Sequence, residues 1–168
     1  MLKIRKAEKG DLESIAAIYG AAREFMKRTG NPLQWGDSYP GEELISADVE
    51  SGAARIVYDE NGTHGVFALF EGEDPSYAYI EGAWLNDDPY VTVHRLASGG
   101  TARGVFRCVA DYCKGSGRDV RIDTHEDNVV MRRLLAENGF ERCGIIYVRG
   151  GSPRTAYQWT PRKGGTDE

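Results

Sequence analysis

The strongest constraint on the fold is a strand–helix–strand pattern between residues 90 and 124. The run YVTVHRLAS reads as a strand, the Gly-containing turn GGTARG follows it, and Val105, Val109 and Cys113 recur on one face of a helix. GSGRD breaks this helix before a second strand, VRIDT. A strand that returns through a helix to the same sheet runs parallel to the first. The pattern therefore predicts an α/β protein whose mixed sheet has a parallel centre.

The rest of the chain predicts the order β α α β β β β α β α β β. A first strand precedes a helix that Asp11 caps, and Pro40 lies in the first turn of a second helix. A hairpin turns around Asn61-Gly62, and YAYIEGAWL, residues 77–85, reads as a further strand. The helix NVVMRRLLAEN follows VRIDT, ends at Gly139 and leads into a final hairpin, which makes a second strand–helix–strand unit.

Length and composition predict one soluble domain over residues 1–160 and a flexible polar tail over 161–168. The net charge of −5 argues against a nucleic-acid partner, and no apolar run approaches the roughly 20 residues of a membrane span. The start of the chain lacks the apolar stretch of a secretory signal. Cys108, Cys113 and Cys143 have no metal-ligand spacing, so we expect reduced thiols, no metal and a cytoplasmic location.

Several motifs, taken in order, resemble the GNAT superfamily of N-acetyltransferases. IRKAEKGDLESIAAIYGAA is similar to its opening strand and helix, VHRLASGGTARGVFRCVADYC to its acetyl-CoA motif, and NVVMRRLLAENGF to its Asn-to-Gly-Phe helix. HRLAS, RIDTH and CGIIYV resemble a group of small uncharacterised bacterial members. The resemblance covers residues 3 to about 160. It implies a mostly antiparallel sheet with one splayed parallel pair and flanking helices, and acetyl-CoA as acetyl donor.

Two residues depart from the pattern of that superfamily. The pyrophosphate loop keeps Gly104 but has Thr101 and Phe106 at its other marked positions. The tyrosine that often protonates the leaving thiolate falls on Leu135. The resemblance therefore leaves the proton source open, with Tyr147, Cys143 and water as the alternatives.

The stretch from residue 96 to residue 105 is predicted to hold coenzyme A. SGGTARG suits a pyrophosphate because glycines let the backbone approach closely and a helix N-terminus offers free N–H groups, although a flexible turn has the same composition. The resemblance implies that the strand before it exposes its main chain to pantetheine. Asn128 is predicted to cap its helix, to contact the cofactor, or both. The predicted cofactor-binding residues are Leu96, Ala97, Ser98, Gly99, Gly100, Ala102, Arg103, Gly104, Val105 and Asn128.

Amine acetylation needs a base, because most primary amines are protonated at pH 7. The candidates are Glu81, His94, Asp123 and His125. Alternation along the strand puts His94 on the same side as Leu96, and histidine titrates near neutrality. Glu81 lies in an apolar run, where a buried carboxylate needs either a partner such as Arg95 or a substrate amine. A hydrogen-bonded core histidine and a surface His125 are the structural alternatives.

Acceptor recognition is predicted to use aromatic residues and a carboxylate. Trp35, Trp84 and Tyr90 are expected to line a pocket for a small amine together with Asp123, with core packing as the alternative for the aromatic residues. Arg154 reads as a surface charge.

The preferred function is direct N-acetylation of an amine of a small molecule or peptide. A homodimer is the assembly that the resemblance suggests. A catalytically silent acyl-CoA-binding or sensing domain is the second reading. A transferase with another acyl donor or a hydroxyl acceptor is the third.

Overall fold

The computed structural model describes residues 1–161, in which eight strands form one mixed sheet. The strand order across the sheet is β1-β2-β3-β5-β6-β8-β7-β4. The strands are β1 (Lys3–Lys6), β2 (Ala54–Asp59), β3 (Gly62–Glu71), β4 (Glu81–Gly82), β5 (Tyr90–Ser98), β6 (Asp119–Thr124), β7 (Glu141–Val148) and β8 (Ser152–Trp159). Every neighbouring pair is antiparallel except β5 and β6. The predicted α/β fold, mostly antiparallel with one parallel pair, is confirmed.

Within the described residues, four α-helices cover the two faces of the sheet. They are α1 (Leu12–Arg28), α2 (Glu42–Glu50), α3 (Val105–Lys114) and α4 (Val129–Glu137). The core on one face joins α3 and α4 to the central strands, with Val109, Leu135 and Phe140 among its buried residues. The core on the other face joins α1 and α2 to the sheet around Ile15 and Trp35. No helix within residues 1–161 combines the length and apolarity needed to cross a membrane.

The parallel pair opens into a fork at its carboxyl end. β5 and β6 pair only from Tyr90↔Asp119 to Val93↔Ile122, whereas β5 continues to Ser98 and β6 to Thr124. Between residues 94 and 98, β5 keeps its antiparallel partner β3 on one side only. The backbone groups on its other side therefore face the space inside the fork, as the resemblance implied.

A bulge in β5 lies at the point where the fork begins. Val66 pairs with Ala97 and Ala68 with His94, so Arg95 and Leu96 together oppose Phe67. Arg95 takes the left-handed conformation, with φ 53°, which is unusual for a residue with a side chain. Its side chain bonds to Asp48 with N–O distances of 2.7 and 2.8 Å, and its carbonyl accepts from Tyr19 Oη at 2.8 Å. These contacts hold the bulge in place.

Four local predictions need correction, three of which concern single elements. The run 77–85 is not a strand beyond Glu81–Gly82, because Tyr77 ends a single 3₁₀ turn and packs inward. α2 begins at Glu42 after Gly41, so Pro40 precedes the helix. The Asp11 side chain pairs with Arg5 at 2.8 Å and makes no capping bond to α1.

The fourth correction concerns the topology at the end of the chain. The second strand–helix–strand unit gives no second parallel pair, because β8 lies between β6 and β7. The predicted tail, residues 161–168, lies outside the described residues apart from Pro161.

Candidate active site

A large cavity opens between the end of β5, α3, α4 and the second half of α1. Its volume is about 1030 Å³. Nine of the ten predicted cofactor-binding residues line it: Leu96, Ala97, Ser98, Gly99, Gly100, Ala102, Gly104, Val105 and Asn128. Arg103 is exposed and lies outside that lining. The predicted segment therefore lines a large cavity, while the one predicted cation lies elsewhere.

The turn that enters α3 is shaped to receive an anion. Gly100 and Gly104 adopt φ angles of 78° and 79°, in the left-handed region that glycine enters without strain. The first intrahelical bond of α3 runs from Cys108 N to Gly104 O, so the N–H groups of the first turn are not used within the helix. Phosphate oxygens bind well at such a terminus, where the helix dipole adds favourable potential.

Phe106 does not obstruct this entrance. Its side chain is 8% exposed and packs edge-on against Phe140, with ring centroids 6.4 Å apart. Phe106 belongs to the core beneath the large cavity and also lines that cavity, so its buried ring forms part of the cavity wall.

The turn is anchored from behind by His64, a buried residue of β3. Its Nδ1 lies 2.6 Å from Thr101 Oγ1 and its Nε2 lies 2.6 Å from Asp59 Oδ1. Its carbonyl accepts from Gly99 N at 2.9 Å. Two points of the turn are therefore tied to one residue, which we call the His64 anchor. Sequence reasoning missed it, because nothing in the spacing links β3 to residue 101.

Cations that the sequence analysis missed also line the large cavity: Arg28, Arg107 and Lys114. Arg107 and Lys114 lie seven residues apart on α3, which places them on one helix face. That spacing is the signal that would have identified them. Lys114 is held by a bond from Nζ to Asn138 O at 2.6 Å.

A second, smaller cavity of about 410 Å³ lies on the other side of the fork. It shares Met26, Leu96, Asn128 and Met131 with the large cavity, and we call these four the shared wall. His94, Asp74 and Asp123 also line the smaller cavity. The two spaces therefore meet where β5 leaves β6.

His94 stands between two carboxylates in the smaller cavity. Its Nε2 lies 2.6 Å from Asp74 Oδ2, and its Nδ1 lies 3.9 Å from Asp123 Oδ2. Asp123 Oδ2 accepts from Tyr77 Oη at 2.6 Å. His94 and Leu96 both line the smaller cavity, but the prediction that they share one side of the sheet was wrong. Leu96 packs with Val93 against the core beneath α3 and α4, because the bulge interrupts the alternation on which the prediction was based.

The pKa values of the two carboxyl groups, Asp74 and Asp123, are shifted in opposite directions. Burial raises the pKa of Asp123, against the opposing effects of His94 and the Tyr77 hydrogen bond. Burial also disfavours the charged form of Asp74, but hydrogen bonds from His94 and Ser76 outweigh it and lower its pKa to about 2. Asp74 is therefore ionised at neutral pH, and it fixes one nitrogen of His94 as a donor.

Of the three aromatic residues predicted to contact the acceptor, one lines the smaller cavity and two lie outside it. Trp35 lines the smaller cavity, while Trp84 and Tyr90 do not. Tyr90 Oη accepts from Asp74 N at 2.8 Å, and Trp84 Nε1 donates to Tyr77 O at 3.0 Å. The prediction that these two contact an acceptor is not supported by their position. They hold the segment that carries Asp74 and Tyr77.

Three of the predicted catalytic residues lie away from both cavities. Glu81 is exposed on the edge strand β4, and its Oε1 accepts from Tyr147 Oη at 2.7 Å. The expectation that Glu81 is buried was wrong, because the apolar run around it is not a strand within the sheet. His125 Nδ1 accepts from Asp127 N at 3.0 Å in the turn before α4. Neither Tyr147 nor Cys143 lines the large or the smaller cavity.

Asn128 and Leu135 show how α4 contributes. Asn128 Oδ1 accepts from Met131 N at 3.0 Å, which confirms the predicted cap, and Asn128 Nδ2 donates to Gln34 Oε1 at 3.1 Å. Gln34 lines the smaller cavity and had no sequence signal. Leu135 is completely buried in the core, so α4 offers no acid at that position.

Three arginines from different elements line the smaller cavity. Arg95 is neutralised by Asp48. Arg154 is only 5% exposed, so the expectation of a surface charge was wrong. Its guanidinium donates to Ser152 Oγ at 2.6 Å, to Pro153 O at 2.8 Å and to Gln34 O at 3.3 Å. Arg149 stacks over the Tyr39 ring, 3.8 Å from its centroid.

Comparison with known proteins places this geometry among acetyltransferases. No family model matches the chain. It is similar to an acetyltransferase of the GNAT family from Streptococcus agalactiae 2603, with 30% identity, a TM-score of 0.85 and 96% coverage of both chains. It is 23% identical over 150 residues to the uncharacterized N-acetyltransferase YhfO of Bacillus subtilis, covering 87% of this chain and 95% of YhfO.

A more distant solved structure shares the fold. The acetyltransferase yncA from Salmonella typhimurium, solved with its cofactor acetyl-CoA, has a TM-score of 0.62 at 16% identity. The match covers 99% of this chain and 98% of yncA.

Proposed function

The chain belongs to the GNAT family of acetyltransferases, and on that premise we propose that it transfers the acetyl group of acetyl-CoA directly to an amine of a small molecule or peptide. The observation that carries the proposal is the fork between β5 and β6. It opens on one side to the large cavity and on the other to the smaller one, and Leu96 lines both. A donor and an acceptor bound on opposite sides would meet at that residue.

The large cavity fits acetyl-CoA by its chemistry. The glycine turn and the first turn of α3 offer N–H groups to the pyrophosphate, with Arg107 and Lys114 as nearby cations. The exposed edge of β5 from Leu96 to Ser98 offers main-chain partners to an amide-containing arm such as pantetheine. The thioester supplies an activated acetyl group, and an N–H group of β5 near Leu96 would stabilise charge on its carbonyl oxygen.

His94 is the base that the smaller cavity supports best. Asp74 accepts a hydrogen bond from the N–H group at Nε2 of His94. Nδ1 is therefore free to take a proton from an ammonium group or from an intervening water. This is the same division of labour by which a carboxylate orients a histidine in other acyl-transfer sites. Asp123, beside Nδ1, would stabilise the imidazolium that forms.

The departing thiolate does not require a dedicated acid. A thiol of ordinary acidity has a pKa of roughly 8.5, so its anion leaves readily and can be protonated afterwards by water. The buried Leu135 is compatible with turnover for this reason. It is also the observation that favours the alternative, a silent acyl-CoA-binding domain.

Turnover of acetyl-CoA with a broad panel of amines distinguishes the two functions. We expect free thiol to appear only when protein, acetyl-CoA and an amine are all present, with the acetylated amine identified by mass spectrometry. His94→Gln is expected to lower kcat by about 10²–10⁴-fold, the range typical of a lost base, with little change in acetyl-CoA affinity.

A second histidine provides the matched comparison. His125→Gln alters a residue that lines neither cavity, and we expect it to keep most of the wild-type rate. Tight binding of acetyl-CoA without thiol release for any amine would instead support the silent domain.

Assembly and location stay predictions. A homodimer would be detected by sedimentation of the purified chain, and a cytoplasmic location by fractionation of the source cells.

A further inference from the structure

The charged side chains that line the smaller cavity are of both signs. Asp74 and Asp123 flank His94. Arg149 lies in the turn that follows β7, and Arg154 lies in β8. An acceptor that is only an amine would use the acidic part and leave the arginines without a role. The arrangement therefore carries information about what else the acceptor contains.

The position of Arg154 needs an explanation because a buried cation is costly without an anion. It is 5% exposed, and within residues 1–161 its guanidinium bonds only to neutral oxygens: two carbonyls and one hydroxyl. It makes no ion pair there, whereas Arg95 in the same cavity is fully matched by Asp48. Asp123 is near enough to Arg154 to influence it electrostatically without contacting it.

Arg149 adds a second cation on the same side. Its guanidinium lies over the face of Tyr39, 3.8 Å from the ring centroid, and makes no ion pair with residues 1–161. Stacking fixes the plane of the guanidinium and leaves its N–H edge available. Planar N–H edges of this kind match the two oxygens of a carboxylate.

We infer that the acceptor is a small amine that also carries a carboxylate, the chemistry of an amino acid, with its amino group at His94 and its carboxylate at Arg149 and Arg154. The inference rests on the proposed acetyl transfer and specifies its substrate class. A cavity of about 410 Å³ is of the size that binds small molecules. A ligand with separated charges completes both half-matched regions at once, which neither a simple amine nor a polyamine does.

Matched acceptors test the inference directly. Each standard amino acid is compared with its α-amide and with the amine formed by removing its carboxylate, at saturating acetyl-CoA. For the preferred amino acid we expect kcat/KM at least about tenfold above both counterparts, because only the acid engages the arginines. Equal rates for an acid and its amide would overturn the inference and point to a peptide N-terminus.

Arg149→Met tests the residue. Methionine keeps an apolar stem against Tyr39, and Arg149 is exposed, so folding should be retained. We expect the ratio of acid to amine kcat/KM to fall towards one, through a higher KM for the acid. Arg133→Met, which removes an exposed arginine of α4 outside both cavities, should keep the wild-type ratio. An unchanged ratio in Arg149→Met would refute the assignment.

Calorimetry decides the inference even if acetyl transfer fails. With no thiol release from any amine, the proposed function falls, but binding of amino acids to the acetyl-CoA complex can still be measured. We expect amino acids to bind more tightly than their amides, and Arg149→Met to remove the difference. Equal binding of acids and amides would contradict the inference on its own.

Discussion

At the scale of single residues, Asp123 lowers the stability of the fold when it is ionised, yet it lies beside His94. Its side chain is only 11% exposed, and Tyr77 Oη is its one hydrogen-bond donor at 2.6 Å within the described residues. Burial raises its pKa above the ordinary 3.8, so the folded protein retains this proton to a higher pH than the unfolded chain does. The group therefore costs stability as the pH rises through and above these two pKa values. A position that weakens the fold yet faces His94 is better explained by function than by packing.

Asp123→Asn is expected to raise the melting temperature at pH 7 while it lowers kcat. Asparagine keeps an oxygen for Tyr77 and removes a buried negative charge, so we expect a gain of roughly 2–4 °C, equivalent to about 1 kcal/mol. The difference from the wild type should shrink as the pH falls towards 3, where both side chains are neutral. Calorimetric melting across pH 3–8 measures this. A variant that is less stable at pH 7 would show that the charge stabilises the fold.

Residue identities in the site were predictable only where a regular element carries them. His94, Leu96 and Asn128 lie on or beside β5 and α4, two regular elements that the pattern located, although the bulge in β5 breaks the alternation between His94 and Leu96. Asp74 and Gln34 lie in irregular segments, where direction follows from tertiary contacts that a sequence pattern does not encode. Glu81 was misplaced for the same reason: the apolar residues around it pack from turns and not from a buried strand.

At the scale of elements, the turn between β5 and α3 depends on β3. The His64 anchor links Thr101 to Asp59 through two contacts of 2.6 Å, so the turn that we propose as the phosphate site is tied to β3. Main-chain donors bind an anion well only when they are already in position, because ordering them on binding costs entropy. Loosening the anchor should therefore weaken recognition of the pyrophosphate specifically.

Thr101→Val is expected to raise KM for acetyl-CoA by about tenfold with little change in kcat. Acetylated N-acetylcysteamine, which carries the thioester but no pyrophosphate, should be used as well by the variant as by the wild type. Thr101→Ser keeps the hydroxyl and should restore the KM. Equal losses with both donors would mean that the substitution disturbs the fork and not the turn.

Gly104→Val is expected to weaken acetyl-CoA binding more than it weakens the fold. The φ of 79° disfavours a branched side chain at this residue, which is the N-cap of α3. Gly117→Val is the matched control, since Gly117 has a φ of 75°, lies in the exposed turn after α3 and has open space where a Cβ atom would be added. Isothermal calorimetry should show lost affinity only for Gly104→Val. Similar affinities for both variants would remove the turn from the cofactor site.

The pairing of elements was predictable in part. The strand–helix–strand pattern of residues 90–124 fixed β5 and β6 as parallel neighbours, because the hand and length of the crossover allow little else. The place of the final hairpin was not fixed, since either of its strands satisfies the hydrophobic pattern beside β6. The structure inserts β8 there and moves β7 outward.

At the scale of the whole molecule, the donor should act as a stabilising ligand. The large cavity is built from α1, α3, α4 and β5, so occupancy links elements from both halves of the chain. Acetyl-CoA at 100 times its Kd should add about 2.7 kcal/mol to the free energy of unfolding, a rise of roughly 5–10 °C in melting temperature. Acetylated N-acetylcysteamine, matched in concentration, should shift it far less. Equal shifts would show that the phosphates contribute nothing.

The shared wall of Met26, Leu96, Asn128 and Met131 lines both cavities, so a molecule bound in the large cavity lies next to a molecule bound in the smaller one. On the proposed function, acetyl-CoA in the large cavity would supply part of the surface against which the acceptor rests, so we expect the acceptor to bind well only after the donor. Steady-state kinetics should then follow a compulsory sequence, with the nucleotide-bearing molecule entering first and departing last.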